Sequence, residues 1–199
     1  MPKQCAIKEA HPPGDFAIWI IIYVELLTFA LLFAGYAFSR RSDVAVFNAS
    51  QLVLNQTSGF INTLILITSS YFVVKAVQSI KNMKQKSIKS ANNRASKWLL
   101  LAMFMGISFL VTKLFEFSHI FGLGITLSTN TFFMFYLLLT MFHFMHVILG
   151  LIILGNIYQK TKSGGYTPHE YSGIETGASY WHLVDLLWIV LFPLVYIIR

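Results

Sequence analysis

Acidic side chains and cysteine are both scarce in this chain. Eight Asp and Glu residues stand against 15 Lys and Arg, and charged residues make up only 12% of the sequence, about half their share in an average soluble domain. The one cysteine, Cys5, excludes an internal disulfide bond and a metal cluster held by cysteines. The composition therefore excludes an ordinary soluble domain and a cysteine-based metal protein.

Hydrophobic residues, in contrast, make up 56% of the chain and are concentrated in long runs. A bilayer core of about 30 Å requires roughly 20 apolar residues in a helix. Runs of this length occur at about residues 16–38, 60–80, 98–121, 131–157 and 179–198. The sequence therefore predicts an all-α fold, an integral membrane bundle of five transmembrane helices forming a single domain over residues 16–199.

The segment before the first run, residues 1–15, is polar and lacks the apolar core of a cleavable signal peptide. Pro12-Pro13-Gly14 prevents an earlier helix start, and Asp15 is suitably placed to cap the first helix. We therefore expect a short N-terminal segment that stays on the cytoplasmic side.

Positive charge is distributed unequally between the predicted connections. One side of the membrane would carry ten Lys and Arg residues, at positions 3, 8, 81, 84, 86, 89, 94, 97, 160 and 162, and the other side only positions 40, 41 and 199. Because Lys and Arg concentrate on the cytoplasmic side, the N-terminus is predicted to be cytoplasmic and the C-terminus outside. This positive charge is explained by membrane topology and by contact with anionic lipid headgroups, and it does not indicate nucleic-acid binding.

Polar side chains inside the spans are the candidate functional residues, since each is costly in hydrocarbon. Glu25 lies near mid-membrane in the first span, and His143 and His146 reach a similar depth in the fourth. A Glu25–histidine pair is therefore geometrically feasible. Glu25 could exchange protons or contact a lipid headgroup, or it could be a protonated packing contact between helices.

Two further pairs are spaced three residues apart, which places each pair on one face of its helix. Lys113 and Glu116 are predicted to form a buried ion pair that lowers the cost of inserting both. His182 and Asp185 lie in the last span, where Asp185 could lock helix packing or lie beside a proton path in a partner subunit. Tyr180 and Trp181 next to them are typical of membrane-interface anchors.

The histidines do not form a recognisable metal site. His143 and His146 share a face, but the Glu-x-x-His motif of a di-iron site is missing from their helix. Neither His119 nor His182 matches their depth, as a second axial haem ligand would have to. We therefore expect no metal on this chain.

Five motifs occur in order, one in each predicted span. They are Tyr23 to Phe29, Phe60 to Leu64, Lys113 to Phe117, Phe142 to Gly150 and Tyr180 to Trp188. Together they make the chain resemble subunit III of haem-copper respiratory oxidases from Gly14 to Arg199. Segments 116–119 and 129–134 are most similar to five-helix members associated with nitric oxide reductase. Relative to the seven-helix form, the first two helices are missing.

The resemblance implies a non-catalytic accessory subunit in respiratory electron transport, aerobic or linked to denitrification. It implies no redox centre on this chain, with haem and copper or non-haem iron in a catalytic membrane subunit that is its partner. It also implies contact with bound phospholipid, although the two missing helices form one wall of the family's lipid-holding cleft. Glu25 corresponds to the family's carbodiimide-reactive carboxylate, with His143 and His146 as neighbours and His182 and Asp185 as the last-helix pair.

Two other interpretations remain open on the residues alone. The same buried charges could serve a stand-alone membrane transporter or ion pathway, although the chain shows no internal repeat. A small membrane haem or di-iron enzyme is the second of these two interpretations.

Overall fold

Seven helical segments make up the structure, a computed structural model that describes residues 16–82, 87–167 and 170–198, with side chains from Ile18 onward. The segments are α1 (Phe16–Ser42), α2 (Val44–Gln51), α3 (Gln56–Lys81), α4 (Ile88–Gly122), α5 (Thr131–Lys162), α6 (Ser172–Phe192) and a terminal π-helix (Pro193–Ile197). No β-strand occurs in these three stretches. The all-α prediction is confirmed.

Five of the helices are long and apolar enough to cross a membrane: α1, α3, α4, α5, and α6 with its π-helical extension. This confirms the predicted five-span, multi-pass membrane protein. The predicted orientation of the termini stays a prediction. Residues 1–15, with the predicted helix break at Pro12-Pro13-Gly14 and the cap at Asp15, lie outside the described residues.

The helices extend beyond the predicted spans, so several predicted boundaries are wrong. α4 begins at Ile88 rather than near residue 98, and its 35 residues make it about 52 Å long. α5 continues to Lys162 rather than ending near 157, and α6 begins at Ser172 rather than near 179. Hydropathy detects only the part of a helix that lies in hydrocarbon, and polar residues continue these helices past it.

A short helix that the sequence did not predict, α2, lies within the polar segment between the first two spans. Its last residue, Gln51, is buried, and its side-chain amide donates to the carbonyl oxygens of Val195 and Ile198, both at 3.0 Å. Asn130 at the start of α5 donates to Ser50 Oγ at 2.9 Å. Polar side chains thus attach α2 over one end of the bundle and satisfy carbonyls that the π-helix leaves free.

The last span is the most enclosed and the first is the most peripheral. Of the most apolar 18 residues, 61% are buried in the span containing α6, against 11% in α1. α1 contacts α5 and α6, and its buried residues include a stripe of Ile22, Phe29 and Tyr36, spaced seven residues apart. Most of the α1 surface therefore faces lipid or another protein.

Trp181 and Tyr180 lie in the core, so their prediction as interfacial anchors is wrong. Each is 1% exposed. A Cβ atom on Gly106 of α4 would lie 2.8 Å from the Trp181 ring, and one on Gly150 of α5 would lie 2.9 Å from it. The missing side chains of these two glycines make the space for the indole ring, and this complementarity involves three separate helices.

Candidate functional site

Glu25 on α1 and His146 on α5 form a polar contact between the peripheral helix and the rest of the bundle. Glu25 Oε2 lies 2.8 Å from His146 Nε2, and the Glu25 side chain is 23% exposed while His146 is buried. The rings of Phe29 and Phe142 pack against the imidazole at 5.5 and 4.7 Å. Aromatic packing thus holds the imidazole in position toward the carboxyl group.

The hydrogen bond made by the other imidazole nitrogen, Nδ1, shows which atoms of the pair can carry a proton. His146 Nδ1 lies 2.7 Å from the carbonyl oxygen of Phe142, which can only accept, so Nδ1 carries a hydrogen. Nε2 and the Glu25 carboxyl group then share a single proton. Either a protonated Glu25 donates to a neutral His146, or an imidazolium donates to a carboxylate. In both forms the pair is neutral overall, which suits its membrane position.

His143 has different surroundings from His146, although both are on α5. It is fully buried and packs against Trp188 at 5.2 Å and Phe109 at 5.8 Å between ring centroids. Neither of its ring nitrogens has a hydrogen-bond partner among the described residues. Within that part of the chain, only His146 comes within hydrogen-bond distance of Glu25. Of the two predicted neighbours, the structure therefore pairs one with Glu25.

Lys113 and Glu116 on α4 lie at the centre of a larger polar cluster. Lys113 Nζ is 3.1 Å from Glu116 Oε1, and both side chains are largely buried. Tyr136 donates to the same oxygen at 2.6 Å, as does Tyr196, and Lys113 donates to the Tyr196 hydroxyl at 2.7 Å. The predicted i, i+3 contact is thus part of a four-residue cluster that joins α4, α5 and the π-helix.

Aromatic rings enclose the ammonium group of this cluster. Four rings lie 4.9–5.5 Å from Lys113 Nζ: those of Phe117, Tyr136, Trp188 and Tyr196. Negative ring faces and a carboxylate together stabilise a cation that water does not reach. Tyr136 and Tyr196 were not among the predicted site residues. Their only sequence signal is a hydroxyl group within an apolar span.

Glu116 also lines a cavity at the end of the bundle where α2 connects to α3. The cavity measures about 340 Å³, and its lining includes Asn55, Ser58, Thr112 and His119. The second carboxylate oxygen of Glu116, Oε2, has no hydrogen-bond partner among the described residues. The Lys113–Glu116 cluster therefore ends next to a partly polar space.

His182 and Asp185 are close together near the opposite end of the bundle. His182 Nδ1 lies 3.5 Å from Asp185 Oδ2 and also contacts the hydroxyl of Ser70 on α3. The His182 side chain is 40% exposed and lines a cavity of about 370 Å³. This pair links α6 to α3, and it is accessible from outside the bundle.

Residues 16–82, 87–167 and 170–198 contain no group of three or more His, Cys, Asp and Glu residues placed to hold a metal ion. The predicted location of haem and metal in partner subunits remains a prediction. What the observed arrangement can do chemically is to hold a shared proton at Glu25–His146 and to stabilise a buried cation at Lys113.

Comparison with known proteins identifies the family. Residues 15–199 match the family model described as cytochrome c oxidase subunit III. The chain belongs to the cytochrome c oxidase subunit III family. The match includes all seven of the predicted site residues: Glu25, Lys113, Glu116, His143, His146, His182 and Asp185.

Curated relatives extend this similarity over nearly the whole chain. Cytochrome c oxidase subunit 3 of Thermostichus vulcanus is 32% identical, over 97% of this chain and 92% of its own length. Cytochrome bo(3) ubiquinol oxidase subunit 3 of Buchnera aphidicola is 30% identical, over 92% of this chain and 85% of its own. Haem-copper oxidase subunit I+III of Aeropyrum pernix is 29% identical over 92% of this chain, which corresponds to 22% of that longer protein.

Proposed function

We propose that this chain is a non-catalytic accessory subunit of a respiratory complex of the haem-copper oxidase or nitric oxide reductase type. In this proposal it stabilises the catalytic subunit, which carries haem together with copper or non-haem iron, and it supports proton-linked electron transport. The Glu25–His146 contact carries the proposal, because a carboxyl group 2.8 Å from an imidazole nitrogen at the peripheral helix α1 is suited to holding and releasing a proton.

Two observations support a catalytic partner. The Aeropyrum pernix relative combines subunits I and III in its name, which favours close association of the two subunits. The outer face of α1 presents Tyr23, Leu27 and Leu31, each more than half exposed. A broad apolar face on the peripheral helix suits a contact with a second membrane subunit.

The proposal covers two electron acceptors, oxygen and nitric oxide. Segments 116–119 and 129–134 favour the nitric oxide reductase association, whereas the relatives compared above are named as oxidases. The two acceptors require different catalytic subunits, so the identity of the partner distinguishes them.

Purification of the tagged full chain in mild detergent should also recover a haem-bearing membrane subunit, in an amount comparable to that of the chain. Mass spectrometry would identify that subunit, and a visible spectrum would show its haem. The untagged strain, purified in parallel, is the control. A colourless chain that is recovered alone and transports ions in liposomes would contradict the proposal and favour the transporter interpretation.

Glu25→Gln should slow proton-linked turnover of the assembled complex by about threefold to tenfold, corresponding to roughly 1 kcal/mol of added activation free energy. The substitution keeps the size of the side chain and removes the acidic proton. His146→Gln should have a similar effect, since the proton is shared. The assay is turnover of the complex reconstituted in liposomes, measured with and without an uncoupler.

The matched control for this substitution is Glu175→Gln, which removes a carboxylate that pairs with Lys81 at 3.4 Å near the end of the bundle. Its turnover should stay at the wild-type rate. Normal turnover of the Glu25→Gln complex, with all subunits present, would show that Glu25 is a packing contact only.

A further inference from the structure

We propose that a groove between the end of α3 and the start of α4 binds the phosphate group of an anionic phospholipid. The groove measures about 500 Å³. One wall is formed by α3, with Lys75 and Gln78, and by Asn82 just after it, and the other wall by α4, with Ser90, Arg94 and Trp98. This site is separate from the Glu25–His146 pair, and the inference depends only on the membrane location of the chain.

The charged residues described in the groove are both cationic. Lys75 and Arg94 supply positive charge from opposite walls, and none of the described residues that line the groove is a carboxylate. Neither cation forms an ion pair within the described residues, and Lys75 Nζ instead lies 5.3 Å from the centre of the Tyr71 ring. Two cations held in one groove repel each other, and an anion between them would remove that repulsion.

Uncharged donors complete the surroundings of the proposed phosphate. The side chains of Gln78, Asn82 and Ser90 line the groove and form no hydrogen bond with the part of the chain that the structure describes. Ser79 differs, since its hydroxyl donates to the carbonyl of Lys75 at 2.8 Å. Amide and hydroxyl groups next to two cations are the donors that proteins use for phosphate oxygens.

The deeper end of the groove is aromatic and continues onto an apolar surface. Trp98 stacks on Phe72 at 5.6 Å between ring centroids, and Tyr71 lies on the opposite wall. Beyond them, Ile67 on α3 and Phe104 on α4 are exposed. A charged mouth followed by an aromatic belt and then apolar side chains matches the order of a phospholipid, from headgroup through interface to acyl chain. This order favours a lipid over free phosphate or an acidic protein segment.

Native mass spectrometry of the purified full chain tests the site, with dioleoyl phosphatidylglycerol and dioleoyl phosphatidylcholine as probes. The wild type should retain phosphatidylglycerol in preference to phosphatidylcholine. Lys75→Gln with Arg94→Gln should weaken phosphatidylglycerol retention by about tenfold or more, as expected for the loss of two cations near the membrane surface. Lys89→Gln with Lys97→Gln removes the same charge from α4 outside the groove and should change retention by less than twofold.

Four results would overturn the proposal. The wild type could show no preference for phosphatidylglycerol, or the control variant could lose as much retention as the groove variant. Inorganic phosphate at equal concentration could displace the lipid, which would indicate a free-anion site. Cross-linking from Ser90→Cys in native membranes could capture a partner subunit instead of lipid. If the double variant does not fold, Arg94→Gln alone serves, because this side chain is exposed; unchanged retention in that variant would count against the site.

Discussion

Lys113→Met should destabilise the folded chain by roughly 3–5 kcal/mol, the cost of leaving one buried charge without its partner. Glu116 would then keep its two tyrosine hydrogen bonds but lose the cation 3.1 Å away. Because both side chains are almost fully enclosed, water cannot replace the ammonium group. The measurement is the free energy of unfolding in mixed micelles of mild detergent and SDS, followed by tryptophan fluorescence.

The double variant Lys113→Met with Glu116→Gln should recover at least half of the lost stability, since it removes both charges together. Lys97→Met, a change of the same kind at an exposed position on α4, should stay within about 0.5 kcal/mol of the wild type. If Lys113→Met is as stable as the exposed control, the cluster does not depend on its charge pair.

Trp181→Ala should cost roughly 3 kcal/mol of folding free energy, because it opens a cavity at the meeting point of α4, α5 and α6. The ring is 1% exposed and fills the space that Gly106 and Gly150 leave. In a membrane the helices associate through close packing rather than exclusion of water, so lost van der Waals contacts supply most of this cost. The same micelle unfolding assay measures it.

Trp98→Ala is the matched control for the Trp181→Ala prediction. Trp98 is only half-buried and stacks on Phe72 at the surface of the bundle, where lipid can fill the vacated volume. Its loss of stability should be less than half that of Trp181→Ala. Equal losses for the two variants would mean that the glycine-bounded space does not hold the three helices together.

The number and approximate positions of the membrane spans could be predicted from sequence, because insertion depends on the summed hydrophobicity of about 20 residues. The ends of the helices could not be predicted in this way. Residues 88–97 are polar and basic, yet they are helical as the start of α4. α2 was missed for a related reason, since its attachment depends on Gln51 reaching carbonyls at the far end of the chain.

Aromatic residues show a second limit of prediction from sequence. A tyrosine–tryptophan pair near the end of a span is typical of an interfacial anchor, but Tyr180 and Trp181 are core residues. Conversely, Tyr136 and Tyr196 carry no distinguishing pattern, and they complete the cluster around Glu116. The surroundings of an aromatic ring depend on gaps in neighbouring helices, such as those at Gly106 and Gly150.

By itself, the sequence determined that this is a five-span membrane protein, which family its motifs resemble, and which polar side chains lie within the spans. Composition and order along the chain are sufficient for these properties. Only the tertiary structure decided that His146 rather than His143 contacts Glu25, and that Lys113 and Glu116 share hydrogen bonds with two tyrosines. Position along a helix specifies depth in the membrane, whereas contacts between helices depend on the rotation of each helix about its axis and on the packing of its neighbours.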